Sequence, residues 1–230
     1  MKRIAVALAL VAAVSAAAPD GTAKDRRSIP GRQAANPSAL VAAEIAFNRM
    51  AQDQGHWTAF RKFAAEDAVM FVPEPVSAQE WLKGRADPPK SVVWQPHEVW
   101  MSCDGTLGAT RGAWQRSDGS TGYFTTVWKR QKDGSYKWVL DQGDALEAPL
   151  GTSDMISASV AECGSPAPRA IEIEDSVRVH VDQEGGAASN DGTLAYRYDS
   201  RSGTSRTFVV TMRRDGKMLE VIRSVVTNGK

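Results

Sequence analysis

The sequence has few cysteines and histidines, almost no net charge and no long apolar run. Its 230 residues include two cysteines and three histidines, and its formal net charge is +1. The cysteines are far apart and the histidines are scattered, so no spacing typical of a zinc site occurs and we expect no bound metal. Near-neutral charge without a basic run disfavours nucleic acid and anionic membrane surfaces as main partners.

Signatures of known catalytic and cofactor-binding loops are also missing. The chain contains no Gly-x-Ser-x-Gly elbow, no phosphate-binding loop and no dinucleotide fingerprint. We therefore expect no cofactor, and no motif indicates a particular reaction.

The N-terminus is typical of a secretory signal peptide. Lys2 and Arg3 precede an apolar run, Ile4–Val14, which passes into small residues ending at Ala18. The run is shorter than the roughly 20 residues of a membrane-spanning helix. We predict a signal peptide over residues 1–18, a polar flexible leader over 19–35, and export to the periplasm or the medium, with no membrane association after cleavage. An uncleaved anchor is the alternative.

The two cysteines favour a disulfide. Cys103 and Cys163 are even in number and belong to a chain predicted to be exported, where disulfides form and persist. The bond would close a loop of about 60 residues. The alternative is two buried free thiols, because spacing alone does not establish the geometry.

Helical patterns come first along the chain. Asn36-Pro37 is typical of a helix start, and an apolar stripe with steps of three and four residues predicts a helix that ends near Gly55. A second, shorter amphipathic helix follows up to Ala64. A short apolar strand is predicted at Ala68–Val72, before two prolines.

The strongest structural signal is Trp94–Asp144, an antiparallel meander of four strands. Runs rich in β-branched and aromatic residues alternate there with Asp-Gly dipeptides, which accept the positive φ angles of tight hairpins: Asp104-Gly105, Asp118-Gly119 and Asp133-Gly134. A two-residue hairpin at the third dipeptide would set Thr126 opposite Asp141 and Trp128 opposite Val139.

Helices followed by hairpins predict an α+β fold class. We expect the N-terminal helices on one face of a cone-like, curved antiparallel sheet over residues 36–150. A smaller β-rich unit over 151–230 would contain a helix at Ser153–Val160 and a second meander. Asp-Gly-Thr-Leu occurs at both 104–107 and 191–194. The second unit is therefore either a degenerate copy of the first or an unrelated meander with the same hairpin chemistry.

A resemblance to a known superfamily covers about residues 36–147. The segment Gly122–Asp141, together with the predicted helices and Leu107–Gly112, resembles the nuclear-transport-factor-2-like superfamily, and more narrowly the SnoaL-like and ketosteroid-isomerase-like domains of bacteria. The resemblance implies a cone-shaped domain with an apolar pocket between sheet and helices, frequently as a homodimer. Members include isomerases, cyclases, dehydratases and proteins of no known chemistry, so the fold does not settle the function.

Three residues are candidates for catalysis if the protein is an enzyme. An isomerase of this type needs a carboxylate base in apolar surroundings and an acid that hydrogen-bonds the developing enolate. Asp141 is the candidate base because its strand brings it near aromatic residues, and His97 or Tyr123 would be the acid. The alternatives are a solvated Asp141 at a strand end and a His97 exposed on an edge strand.

Four residues are candidates for ligand binding. Arg111 has small neighbours in its strand and could bind a ligand carboxylate, pair with Asp141 or point into water. Trp94, Phe124 and Trp128 could line an apolar cavity or fill the core.

The leading hypothesis is an exported protein that binds a small apolar ligand or a protein partner, without catalysis, through a pocket or face of the cone domain. The alternative is a small-molecule isomerase or dehydratase with Asp141 as its base.

Overall fold

The structure, a computed structural model, describes residues 35–151, 153–164, 184–201 and 205–227, which belong to one compact unit. The predicted signal peptide and all but the last residue of the predicted leader lie outside these ranges. None of the helices within them has the length and apolar composition that crossing a bilayer requires.

Two helices cover one face of the main sheet. α1 (Pro37–Gln54) starts with a proline in its first turn and ends at Gly55, whose φ is +117°. The carboxylate of Asp87 lies where a Cβ on Gly55 would be, and it accepts hydrogen bonds from the N–H and Oγ1 of Thr58 at 2.9 and 2.6 Å. Asp87 thereby caps the start of α2 (His56–Phe63).

The main sheet has seven strands in the order β2-β1-β6-β5-β4-β3-β7. The strands are β1 (Ala64–Phe71), β2 (Pro75–Ser77), β3 (Val93–Met101), β4 (Leu107–Gln115), β5 (Thr121–Arg130), β6 (Tyr136–Leu146) and β7 (Ser157–Val160), with a short helix α3 (Ala78–Leu82) after β2. Pairs from β3 to β6 are antiparallel, whereas β1 with β6 and β3 with β7 are parallel. The predictions of an α+β fold class and of a four-strand meander are confirmed.

The register between β5 and β6 agrees with the prediction only in part. Thr126 pairs with Asp141 as predicted, but Trp128 pairs with Trp138, so the predicted pairing of Trp128 with Val139 is wrong. The turn is longer than two residues, which shifts the register by one near the hairpin. A bulge between Val127 and Trp128 restores the predicted register towards Asp141.

The predicted helix at Ser153–Val160 is wrong. Residues 157–160 form β7, which pairs in parallel with the edge strand β3. Ser and Val have modest helix propensity, and the free edge of β3 offers backbone hydrogen bonds that a short helix lacks. The predicted disulfide between Cys103 and Cys163 is confirmed, and it joins the end of β3 to the chain that follows β7.

A second sheet packs on the first. Its strands, in the order β11-β10-β9-β8, are β8 (Glu184–Ala188), β9 (Leu194–Arg201), β10 (Ser205–Arg214) and β11 (Lys217–Thr227). The rings of Phe71 and Tyr198 lie 5.3 Å apart across the junction, and Gln142 Nε2 donates to Ser224 Oγ at 3.4 Å. The two sheets share one apolar core. That residues 151–230 are a domain of their own stays a prediction.

Two Asp-Gly turns, one from each sheet, hold each other by reciprocal hydrogen bonds. The N–H of Asp104 donates to Asp191 Oδ2 at 2.9 Å, and the N–H of Asp191 donates to Asp104 Oδ2 at 3.0 Å. Neighbouring residues make a second pair of such bonds. The N–H of Cys103 donates to Thr193 Oγ1 at 2.9 Å, and the N–H of Asn190 donates to Thr106 Oγ1 at 3.0 Å.

Candidate functional site

An open cavity of about 310 Å³ lies between the helices and the inner face of the main sheet. We call it the aromatic cavity, because its walls include Phe47, Trp57, Phe60, Trp94, Trp114 and Phe124. Polar groups reach it from His56, Thr126 and Asp141, and Arg116 and Asp144 also line it. An apolar cavity with a few convergent polar groups is the usual form of a small-molecule site.

Edge-to-face contacts hold the aromatic walls in place. The ring of Phe47 on α1 lies 4.8 Å from both Phe60 on α2 and Trp94 on β3. Phe60 also lies 5.9 Å from Trp138 on β6. Such geometry is favourable for aromatic pairs and restricts ring motion. The helices and the sheet therefore position one another through the same rings that line the site.

Trp114 reaches the cavity because Gly122 has no side chain. A Cβ on Gly122 would lie 2.3 Å from the indole of Trp114, which crosses β5 at that point. Its Nε1 donates to the carbonyl of Tyr123 at 2.9 Å. The neighbouring strand thus fixes one wall of the cavity.

Asp141 provides the carboxyl group of the cavity. It is partly buried on β6, opposite Thr126, whose Oγ1 donates to Asp141 Oδ2 at 2.9 Å. Desolvation by burial raises the pKa of Asp141 to about 7, the bond from Thr126 opposes this rise, and the negative charge of Glu44 adds to it. At neutral pH this carboxyl group can therefore both accept and donate a proton.

Glu44 is a second buried carboxyl group, which lies on the buried face of α1 behind the cavity wall. It accepts hydrogen bonds from Trp94 Nε1 at 2.7 Å, Thr110 Oγ1 at 2.5 Å and Trp128 Nε1 at 3.1 Å. Burial nevertheless raises the pKa of Glu44 to about 7. The sequence analysis missed Glu44, although a charged residue within an apolar helical stripe is a signal for such a role.

A hydrogen-bonded connection runs from Glu44 towards Asp141. Thr110 Oγ1 accepts from Trp128 Nε1 at 3.0 Å and lies 3.4 Å from the carbonyl oxygen of Thr126, whose side chain bonds Asp141. The two carboxyl groups thus share one buried polar network across β4, β5 and β6, which couples their protonation.

His56 faces the cavity from the first turn of α2. Its Nδ1 lies 2.9 Å from Ser91 Oγ, and its ring packs 4.4 Å from Trp57 and 4.6 Å from Phe60. Burial lowers the pKa of His56 to about 4, so the imidazole is neutral at pH 7. The sequence analysis found no role for His56, because no periodicity or spacing distinguishes a histidine at a helix start.

Three of the residues proposed from the sequence lie together at the aromatic cavity: Asp141, Phe124 and Trp94. Trp128 does not line it. The indole of Trp128 is fully buried behind the wall, where it donates to Glu44. Of the two alternatives for Trp128, lining a cavity or filling the core, its position in the structure agrees with the second.

The structure places His97, Tyr123 and Arg111 outside the cavity wall. Tyr123 and Arg111 lie on the opposite face of the sheet, with the guanidinium 5.2 Å from the phenol ring, because side chains alternate along β4 and β5. His97 is the extra residue of a bulge in β3 and is partly exposed. Their proposed roles stay predictions, and Arg111 does not pair with Asp141.

In the described residues no three His, Cys, Asp or Glu side chains come together as a metal-binding group. The aromatic cavity offers apolar contact through its rings and proton exchange at Asp141.

Comparisons with known proteins return solved structures only, since no family model and no curated protein matches the chain. A candidate ketosteroid isomerase from Parabacteroides distasonis is 14% identical with a TM-score of 0.40, over 50% of this chain and 97% of that one. A candidate aromatic ring hydroxylase from Novosphingobium aromaticivorans is 16% identical with a TM-score of 0.36, over 50% and 92%.

A third solved structure, an ntf2-like protein of unknown function from Mesorhizobium loti, is 15% identical with a TM-score of 0.31, over 48% of this chain and 93% of that one. All three TM-scores are below 0.5, so we take nothing about ligand or reaction from these structures. Each of the three similarities covers about half of this chain and more than nine tenths of the solved structure.

Proposed function

We propose that the protein binds a small, largely apolar molecule in the aromatic cavity, with Asp141 as its main polar contact. The observation that carries this proposal is an open space of about 310 Å³ with aromatic walls and one carboxyl group of raised pKa. The volume is at the lower end of ordinary ligand sites, which suits a molecule of two or three rings.

A fluorescence titration with phenylnaphthylamine, a neutral aromatic probe, tests the binding proposal. Ala145 lines the cavity and is exposed, so Ala145→Trp should fill the opening and abolish saturable binding. The matched control is Ala158→Trp, which puts the same side chain on the exposed edge strand β7. Equal binding by both variants would contradict the proposal.

Export belongs to the same proposal. The disulfide between Cys103 and Cys163 supports an oxidising compartment, since such bonds are rare in the cytosol. The intact mass of the protein from the periplasmic fraction should lack residues up to one of Ala16 to Ala18. A full-length mass confined to the cytosol would contradict export.

Proton transfer in the same cavity is the second candidate function, and the raised pKa of Asp141 favours it. A base with a pKa of about 7 is well matched to neutral pH, as an isomerase or dehydratase requires. Nitrobenzisoxazole, a small aromatic molecule whose ring opens when a base removes one proton, is a suitable probe.

The rate of this ring opening should rise with pH and level off above about 7, where Asp141 is ionised. Asp141→Asn should lower the rate by about a hundredfold. Unchanged turnover in this variant, with circular dichroism confirming the fold, would exclude Asp141 as the base.

A protein partner in place of the small molecule, and a homodimer, stay predictions. Light scattering of the purified protein would measure its oligomeric state.

A further inference from the structure

A second, polar depression adjoins the aromatic cavity at its mouth. It has a volume of about 530 Å³ and lies between the end of α1, the segment before β3 and the turn after β4. We call it the basic groove. Its polar lining residues are Gln52, Lys90, Ser91, Gln115, Arg116 and Ser117.

The walls of the basic groove and the aromatic cavity meet at two points. Arg116 lines both, with its guanidinium 4.5 Å from the ring centroid of Trp114, another wall of the cavity. Ser91 of the groove is hydrogen-bonded to His56 of the cavity at 2.9 Å. A molecule of moderate length can therefore occupy both spaces.

The charges of the two spaces are opposite. Among the described residues at its wall, the groove has two cations, Lys90 and Arg116, and no carboxylate, whereas the cavity wall includes Asp141 and Asp144. Asp118 lies close enough to Arg116 for their charges to interact, but its carboxylate already accepts hydrogen bonds from its own turn. The groove is therefore the more favourable of the two spaces for an anionic group.

We propose that the ligand is an amphipathic organic anion, with an apolar ring system in the aromatic cavity and a carboxylate or similar acidic group in the basic groove near Lys90 and Arg116. This inference rests on the proposed function and adds the class and the orientation of the ligand. The side chains of Gln115 and Ser117 at the groove wall are exposed and are further hydrogen-bond donors for such an anion.

Two fluorescent probes that differ in one acidic group test the inference on the full chain. Anilinonaphthalene sulfonate has the same rings as phenylnaphthylamine and adds a sulfonate. The wild-type protein should bind the sulfonate more tightly than the neutral probe, and only the sulfonate's affinity should fall with added salt.

Removing the two cations should remove this preference. In a double variant, Lys90→Gln with Arg116→Gln, the affinity for the sulfonate should fall about tenfold, since each exposed ionic contact contributes up to about 1 kcal/mol. In the single variant Lys90→Gln, which changes the groove wall and not the cavity wall, the affinity for the sulfonate should fall and the affinity for the neutral probe should stay within about twofold of wild type. Arg116→Lys, which keeps the charge, should retain the preference for the sulfonate.

The control is a double variant, Lys83→Gln with Lys132→Gln, which changes the net charge equally at exposed positions outside both walls. An equal loss of sulfonate binding in this control would overturn the basic groove as the anion site. If the protein bound the neutral probe tightly and showed no preference for the sulfonate, the inference of an anionic ligand would be overturned and the proposed binding function would stand. Failure of both probes to bind would overturn the proposed function as well.

Discussion

Glu44 is the residue on which the inner polar network depends. It occupies a position on α1 between Leu40 and Phe47, where the helical period requires burial, and it is fully buried in the structure. Three donors surround it, yet desolvation outweighs them and raises its pKa to about 7. A protonated Glu44 can instead donate to Thr110 Oγ1, so the network suits the neutral acid.

Glu44→Gln should flatten the dependence of stability on pH. Because the native pKa is raised from 4.5 to about 7, native protein holds a proton that the unfolded chain loses in this range. The proton on Glu44 adds on the order of 3 kcal/mol to the free energy of unfolding. This stabilisation is complete below about pH 4.5 and is lost as the pH rises through 7. Urea unfolding across this range measures the slope.

Glu98→Gln is the control, since Glu98 is exposed on β3 and should leave the slope unchanged. The pKa of Asp141 is also raised, so its ionisation likewise lowers the free energy of unfolding as pH rises. A smaller dependence of stability on pH should therefore remain in Glu44→Gln. If Glu44→Gln kept the full wild-type slope, Glu44 would not be the titrating group.

At the residue scale the sequence predicted only part of the site. Asp141, Phe124 and Trp94 could be found because strand alternation and hairpin register place them on a common face. Glu44 and His56 come from helices whose packing against the sheet no local pattern specifies. Arg111 and Tyr123 lie on the other face of β4 and β5, which the sequence could not show, since both faces of these strands are covered and apolarity does not distinguish the inner face.

Among the elements, β10 of the second sheet supports the cavity wall. Arg206 on β10 is 7% exposed, and its guanidinium lies 5.2 Å from the ring of Phe71. It donates to the carbonyls of Pro73 and Gly143. Phe71 and Gly143 line the aromatic cavity, so the second sheet holds two of its walls from behind.

Arg206→Met should therefore lower both stability and ligand binding. Methionine fills similar space but donates no hydrogen bond, so two carbonyl groups lose a donor, at a cost of about 2 kcal/mol. Urea unfolding and phenylnaphthylamine titration measure the two effects. Arg197→Met, at an exposed position of β9, is the comparison, and an equally small effect of both variants would contradict a supporting role for β10.

Among the helices and strands, the sequence predicted the hairpin turns but not the bulge or the strand at the edge of the main sheet. Asp-Gly dipeptides mark hairpins by their own chemistry, and Gly105, Gly119 and Gly134 all have positive φ. The bulge in β6, where Val139 is the extra residue, and the strand β7 depend on what lies opposite each segment in space. The Ser153–Val160 segment in particular joins β3 across a long stretch of sequence, which a local pattern does not contain.

In the whole molecule, the two sheets share a common design. Each contains an antiparallel meander of four strands, β3–β6 in one and β8–β11 in the other, with a bulge in its last hairpin, at Val127/Trp128 and Val210/Thr211. Their Asp-Gly-Thr-Leu turns exchange hydrogen bonds in both directions, through Asp104 and Asp191. Both interpretations of the second unit, a degenerate copy of the first or an unrelated meander with the same hairpin chemistry, stay predictions.

The disulfide holds one of these paired turns to the chain after β7. It closes a separation of 60 residues, so its loss should lower the free energy of unfolding by about 4 kcal/mol in the chain-entropy account. Denaturant unfolding of a double variant, Cys103→Ser with Cys163→Ser, measures the loss. Reductant should destabilise wild type similarly and leave the variant unaffected; equal stability of both proteins would contradict a structural role for the bond.

Native mass spectrometry of the protein isolated from its own host shows whether the aromatic cavity holds a ligand. Wild type should carry a small molecule that dissociates on denaturation, and Ala145→Trp, expressed and isolated in the same way, should not carry it. A bound molecule that fragments as an apolar acid would also agree with the basic groove. If wild type and Ala145→Trp carried the same added mass under native conditions, or neither carried any, the proposed ligand site would be contradicted.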